Sequence, residues 1–207
     1  MKFRSILYGI GKAGNIVGRT GKGGEYIISA YQPNVHNPRT TAQQMVRDRA
    51  KVVVQSLKFF TNWAKFMVKP SGKRTYWTEL IKLNLDEAVT GTYPNYSLDY
   101  AQVTIANGNI DLPYSPTASN DNTTLSLTWA DNTGMGNANA DDKLCIAVFN
   151  PTKQALVYNL QLAERSERNA SYTLPTAWVN DTVEVWIAMR SLAGEPSKST
   201  HVATISL

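Results

Sequence analysis

Apolar residues recur at alternating steps of four and three from Val46 through Ala50, Val53, Leu57, Phe60 and Ala64 to Met67. This is the spacing of one face of an α-helix, and no strand of period two can present these positions to one side. Phe59, Trp63 and Phe66 widen the stripe. Upstream, Asn37-Pro38-Arg39-Thr40-Thr41-Ala42-Gln43-Gln44 puts a proline where a first helical turn accepts one, and a threonine three residues before a glutamine, as in a capping box. Lys69-Pro70-Ser71-Gly72 interrupts the pattern, and a second helix is predicted from about Lys73 to Thr90, with Trp77, Ile81, Leu85 and Ala88 on one face and Gly91 as its stop. A break this short favours an antiparallel helical hairpin, although a heptad seam of this length also suits contact between chains.

The segments on either side obey other rules. Residues 1–35 carry glycine at positions 9, 11, 14, 18, 21, 23 and 24, between β-prone runs at Phe3–Tyr8, Asn15–Val17 and Tyr26–Tyr31. Such a pattern gives short strands and tight turns that bury little by themselves, a first sign that the segment needs a partner. After Gly91 turn signals recur, among them Tyr93-Pro94-Asn95, Asn107-Gly108, Asp131-Asn132-Thr133-Gly134 and Asn150-Pro151. Between them, Leu125–Trp129 alternates, Lys143–Phe149 is nearly all apolar, and Ala155–Leu162, Thr182–Met189 and Thr200–Leu207 complete a set of strands. Short strands at such spacing predict a β-sandwich of about 100 residues. The expected fold is α+β, with a glycine-rich β-hairpin and two-helix hairpin over residues 1–91 and a sandwich over 92–207.

Charge divides at the same place. Residues 1–91 hold fifteen Lys and Arg against five acids, a net +10, whereas 92–207 hold six against eleven, a net −5; together they make the chain's +5. Clustered cations favour a polyanion or an acidic partner, or else simply offset the acidic half. The apolar run near the N-terminus, Ser5 to Ile10, ends at Lys12 and is too short for a secretory signal, and no stretch approaches the roughly 20 apolar residues of a membrane span. A single cysteine, Cys145, leaves stability to packing.

Two resemblances follow. Leu127-Thr128-Trp129, with Val183–Ser191, Gly194, Pro196-Ser197 and Ser199, resembles the second and the last two strands of a fibronectin type III domain, over Thr123–Leu207. Nearly the whole chain resembles an uncharacterised family, domain of unknown function 6266, known chiefly from Bacteroidota and their mobile elements. The residues that carry this resemblance are Gly11–Gly18, Asn37–Gln44 with Arg47, Thr90–Ser97, and Trp129–Asn132 with Gly134 and Gly136. It implies no activity and no catalytic residue.

Motifs for chemistry are weak. Gly9-x-Gly11-x-x-Gly14 matches the letters of a dinucleotide fingerprint, but the glycines that follow preclude the helix whose amides would hold a pyrophosphate. Gly21-Lys22 lacks the flanking residues of a phosphate loop. His36 and His201 accompany no nucleophile motif, Cys145 sits among apolar residues, and Asp131, Asp141 and Asp142 with Asn132, Asn137 and Asn139 do not fit calcium-loop spacing. The four Asn-x-Ser/Thr triplets carry no meaning without a secretory signal.

The strongest functional signal is therefore the basic set, and the residues expected to dock a partner or nucleic acid are Lys12, Arg19, Lys22, Arg39, Arg47, Lys51, Lys58 and Lys65. No nucleic-acid-reading motif accompanies them, so any such contact should be independent of sequence. The expectation is a non-catalytic structural or assembly protein, a component of a phage or mobile-element particle. The alternative is a cytoplasmic nucleic-acid-binding module. No cofactor, metal or small-molecule substrate is expected, and self-association or assembly with protein is.

Overall fold

The computed structural model describes residues 10–34 and 38–207 and divides the chain into two compact units, 1–40 and 41–207. The expected strand at Phe3–Tyr8, Gly9, His36 and Asn37 lie outside the described residues.

The first unit is an antiparallel meander of β1 (Gly11–Ala13), β2 (Ile16–Thr20) and β3 (Tyr26–Ala30). The β1–β2 link is the two-residue turn Gly14-Asn15, which needs positive φ at its first position, and Gly14 supplies φ 57°. No described residue of this unit is buried.

The second unit begins with the helices. α1 (Thr41–Leu57) runs through a single tight turn at Lys58–Phe60 into α2 (Thr61–Met67). The four-and-three spacing is followed from Val53 onward, where Val53, Leu57, Phe60, Ala64 and Met67 are all fully buried. Its N-terminal end differs from expectation, with Val46 66% exposed, and so does Phe66, one of the residues expected to widen the stripe, at 48%. α3 (Tyr76–Leu85) opens on Thr75, whose hydroxyl accepts from the Thr78 amide while the Thr78 hydroxyl accepts from the Thr75 amide. It packs against α1 and α2. The helix stops at Leu85, short of the expected Thr90, because Val89–Thr92 is a strand, β4, paired with β5 (Asn95–Leu98). At Gly91 (φ 87°) a Cβ would stand 2.3 Å from the Asn95 carbonyl oxygen, so this glycine is a close approach within a hairpin and not a helix stop.

Seven further strands form the fibronectin-III/immunoglobulin-like sandwich: β6 (Tyr114–Asp121), β7 (Thr124–Ala130), β8 (Lys143–Asn150), β9 (Ala155–Glu164), β10 (Asn169–Thr173), β11 (Thr182–Arg190) and β12 (Thr200–Ser206). One antiparallel sheet runs β10-β7-β6 and the other β12-β11-β8-β9. Between them lie Leu125, Leu127 and Trp129 from β7, Leu144, Ile146 and Val148 from β8, and Val183, Val185, Ile187 and Met189 from β11.

The alternate residues of β8 and β11, Cys145, Ala147, Phe149, Trp186 and Ala188, face a second core shared with Val53, Leu57, Phe60, Trp63, Met67 and Leu80 of the helices. The four-stranded sheet is thus covered on both faces, which explains the nearly unbroken apolar run of β8. The connection after β5 is fastened between these layers. The Ile105 carbonyl accepts from Trp63 Nε1 (2.9 Å), the Val103 carbonyl accepts from Trp186 Nε1 (3.1 Å), and Ser199 Oγ accepts from the amides of Ile105 and Ala106. Asn84 brackets Thr104, donating to its carbonyl and accepting from its amide, both at 2.8 Å. The packing therefore has no seam at Gly91. The compact units part between Thr40 and Thr41, since the helices and the sandwich need each other's apolar faces.

Candidate docking surfaces

Register fixes which side chains of the first unit share a face. Lys12 pairs with Val17 and Arg19 with Ile27, so both cations, with Ser29, lie on one side of the meander. Lys12 Nζ sits 3.4 Å from the centre of the Tyr31 ring, a cation–π contact that ties β1 to the residue after β3. The opposite side carries Gly11, Ala13, Ile16, Gly18, Thr20, Tyr26, Ile28 and Ala30, with no charged residue. Ile16 is 53% exposed, and Ile28 and Tyr26 are each 50% exposed. Lys22 lies in the loop to β3, where the Gly21 amide donates to the Glu25 carbonyl, and Arg39 adopts φ 47° just before α1.

Arg47, Lys51, Lys58 and Lys65 belong to the second unit and are all exposed. Lys51, Lys58 and Lys65 each precede a fully buried seam residue, Val53, Phe60 or Met67, by two positions, and so keep to one flank. Lys65 Nζ donates to Asn62 Oδ1, and Lys58 Nζ lies 4.8 Å over the Phe59 ring. Among the described residues, none of these four cations stands within ion-pair distance of an acid. Lys58 also borders a cleft of about 270 Å³ with Gln55, Phe59, Tyr100, Phe149 and Gln154.

Two segments that carry the family resemblance meet here: Tyr93 Oη donates to Gln44 Oε1 at 2.9 Å, joining the β4–β5 turn to α1. Beside them a groove of about 360 Å³ is lined by Met45, Arg49, Val89, Tyr93 and Tyr96. Arg49 Nη2 donates to the Leu85 carbonyl (3.1 Å).

Sequence reasoning left His201 without a partner, but antiparallel pairing of β11 and β12 sets it opposite Trp186, diagonal to Glu184, whose own partner across the strands is Thr204. His201 Nε2 lies 2.7 Å from Glu184 Oε2, the same oxygen accepts from Thr204 Oγ1 (2.7 Å), and the imidazole packs edge-on to Trp186. The signal lay in the alternation of each strand, but the register joining them was not readable. Burial, with the Glu184 charge second, pushes the Tyr100 phenol above its ordinary value.

The Asp/Asn-rich loop after β7 is fastened by Arg165. Its guanidinium donates to Asp142 Oδ2 (2.9 Å from Nη2), to Asn132 Oδ1 (2.6 Å) and to the carbonyls of Asp111 and Asn139, while Trp129 Nε1 donates to the Arg165 carbonyl. Both side chains of the ion pair are buried, at 0% and 1% exposure. Asp131 accepts from the amide and hydroxyl of Thr133, and these bonds, the hydroxyl's foremost, hold its carboxyl below the usual range. Asn132, Asn137 and Asp142 thus tie the loop to Arg165 and to the segment before β6, and no group of three or more potential metal-binding His, Cys, Asp or Glu residues occurs among the described residues.

Cys145 Sγ donates to the Leu160 carbonyl at 3.1 Å, and burial, opposed by the Arg190 charge, pushes its thiol up to about 12. The thiol is expected to stay unmodified by an aromatic disulfide reagent at pH 8 in the native protein and to react stoichiometrically once urea unfolds the chain. Rapid reaction without denaturant would mean that β8 and β9 separate readily.

Among the described residues no helix is long and apolar enough to cross a membrane. Comparison with curated proteins gives no match. Among solved structures, the chain is similar to titin module A71 from human cardiac muscle, at 18% identity and a TM-score of 0.35, over 46% of this chain and 90% of that one. The model of a family of unknown function, DUF6266, matches residues 8–203, and the chain belongs to that family.

Proposed function

We propose that the protein is a non-catalytic structural component of a larger assembly, of phage or mobile-element origin, whose N-terminal sheet docks on a shell or partner while the helix-backed sandwich forms the body. One observation carries this reading. The meander from Gly11 to Ala30 has no buried residue, yet it sets an uncharged face with half-exposed Ile16, Ile28 and Tyr26 against a face carrying Lys12 and Arg19. A sheet of three short strands with no buried position among its described residues gains little from its own contacts, which supports a partner as the source of its burial.

A second reading, a sequence-independent nucleic-acid-binding module, is favoured by Arg47, Lys51, Lys58 and Lys65, which lie along an exposed helical flank and pair with no acid among the described residues. Light scattering coupled to size exclusion, before and after nuclease and across a salt series, separates the two. Assembly through the sheet predicts a multimer that survives nuclease and rising salt. Binding through the cations predicts that bound nucleic acid is shed as salt rises, with a log–log slope near −0.9 per phosphate neutralised on duplex DNA. A monomer free of nucleic acid and of any co-purifying particle overturns both.

A further inference from the structure

We infer that the cleft between the end of α1 and the β8–β9 hairpin binds a small monocyclic anion, a planar ring bearing one carboxylate, with its ring against Phe149, Phe59 and Tyr100 and its carboxylate at Lys58. The cleft belongs wholly to the second unit, so it neither needs nor excludes assembly through the N-terminal sheet. Three elements build it. α1 and the turn after it bring Gln55, Lys58 and Phe59, the short turn Tyr100–Gln102 brings Tyr100, and β8 with its hairpin loop brings Phe149 and Gln154. The lining is aromatic on one side. Phe149 is 2% exposed, and its ring centre lies 5.5 Å from that of Phe59 and 5.7 Å from that of Tyr100. The cleft measures about 270 Å³. About 150 Å³ takes a benzene molecule and drug-sized sites start near 300 Å³, so this volume suits a ring with one substituent.

The polar groups of the lining are free to take a ligand. Among the described residues, the side-chain amides of Gln55 and Gln154 and the Tyr100 hydroxyl make no hydrogen bond, and the Lys58 ammonium meets the Phe59 ring but no acid. Burial keeps the Tyr100 phenol protonated at neutral pH, so it can donate. No Asp or Glu lines the cleft. The carboxylates of the adjoining elements are engaged elsewhere: Asp99 accepts from the Ala101 amide, Asp181 accepts from Asn150 and pairs with Lys153, and Glu184 accepts from Thr204 beside His201. One cation among neutral donors matches the single charge of a carboxylate, whereas a phosphate, at about −1.5 to −2, would keep an uncompensated charge.

Gln154 adds a separate sign. It adopts φ 52°, a left-handed conformation that glycine takes freely and other residues take at a cost. A side chain kept in such a conformation, with its amide on the cleft and no bond within the protein, has a use in what the cleft holds.

The test is a titration of the isotope-labelled full chain with benzoate, read as amide shifts in proton–nitrogen correlation spectra. Saturable shifts confined to the amides around Lys58, Tyr100 and Gln154 are expected, with a dissociation constant of about 1 mM or below. Benzamide keeps the ring without the charge and acetate the charge without the ring, so each should bind at least about tenfold more weakly. Lys58→Gln is expected to weaken benzoate about tenfold or more. Gln154→Gly should weaken it several-fold without lowering the urea midpoint, because glycine relieves the left-handed conformation while removing the amide. Lys51→Gln and Lys65→Gln lie on the same flank outside the cleft and should leave benzoate binding unchanged, which separates this site from a general attraction of anions to the helices. The same spectra verify that each variant is folded. No saturable shift up to about 20 mM benzoate overturns the site. So does equal binding of acetate or benzamide, or a Lys58→Gln variant that binds as tightly as the native chain.

Discussion

Arg165→Ala is expected to lower the unfolding free energy by about 3–5 kcal/mol, a large part of the roughly 5–15 kcal/mol that holds a typical domain folded. The reason lies in what stays behind. Asp142 is buried, Arg165 supplies its ionic partner, and its Oδ1 already lacks a hydrogen-bond partner, so loss of the guanidinium strands a carboxylate in the interior. The same change leaves the Asp111 carbonyl and Asn132 Oδ1 without their donor. Urea titration followed by tryptophan fluorescence checks this. The double replacement Arg165→Met with Asp142→Leu should recover part of the loss, because removing both charges removes the stranded ion. A cost below about 1 kcal/mol for Arg165→Ala would mean that water reaches this end of the sandwich and hydrates the ion.

The second large effect concerns where the chain can be cut. A fragment starting at Thr92 should fail to fold as a soluble unit, whereas one starting at Thr41 should unfold in a single transition close to that of the full chain. The shorter piece keeps all seven sandwich strands and the Tyr100–Ala106 connection but loses the helices that cover Phe149, Trp186, Ala147 and Ala188 on the outer face of the four-stranded sheet. Fully burying a large apolar side chain contributes about 1.5–3 kcal/mol, so losing the cover of Phe149 and Trp186 alone removes several kcal/mol and leaves an aggregation-prone face. Circular dichroism and light scattering on the two fragments decide the matter. A soluble, cooperatively melting 92–207 piece would show that the helices are an accessory.

The difference between that prediction and a boundary at Gly91 shows what was legible in the residues. β7, β8, β9, β11 and β12 were readable because burial on one or both faces leaves an apolar pattern. β6 and β10 were not: Tyr-Ser-Pro-Thr-Ala-Ser-Asn-Asp and Asn-Ala-Ser-Tyr-Thr are edge strands with mostly polar, exposed positions. The helical seam was readable from Val53 to Met67, but the exposure of Val46 was not, since an amphipathic pattern does not say how far a covering layer extends. The nearly continuous apolar run of β8 did mark a strand covered on both faces, and the missing step was to ask what covered the second. Switch points of composition and charge coincide near Gly91 without being a break in packing, because composition follows the change from helix to strand and packing follows area. For the docking residues, exposure of Arg47, Lys51, Lys58 and Lys65 matches their spacing, but the segregation of Lys12 and Arg19 from Ile16 and Ile28 depends on strand register, which the glycine-rich stretch left open.

The joining of Phe60 and Trp63 to Trp186 and Tyr158 bears on the order in which the protein is made. More than a hundred residues separate Phe60 from Trp186, and at about 5–20 residues per second a ribosome needs roughly 6–25 s to pass from one to the other. During that interval the helices emerge with an apolar side and no sheet to lie on, so a newly made chain must keep them apart from their neighbours until β11 has left the tunnel.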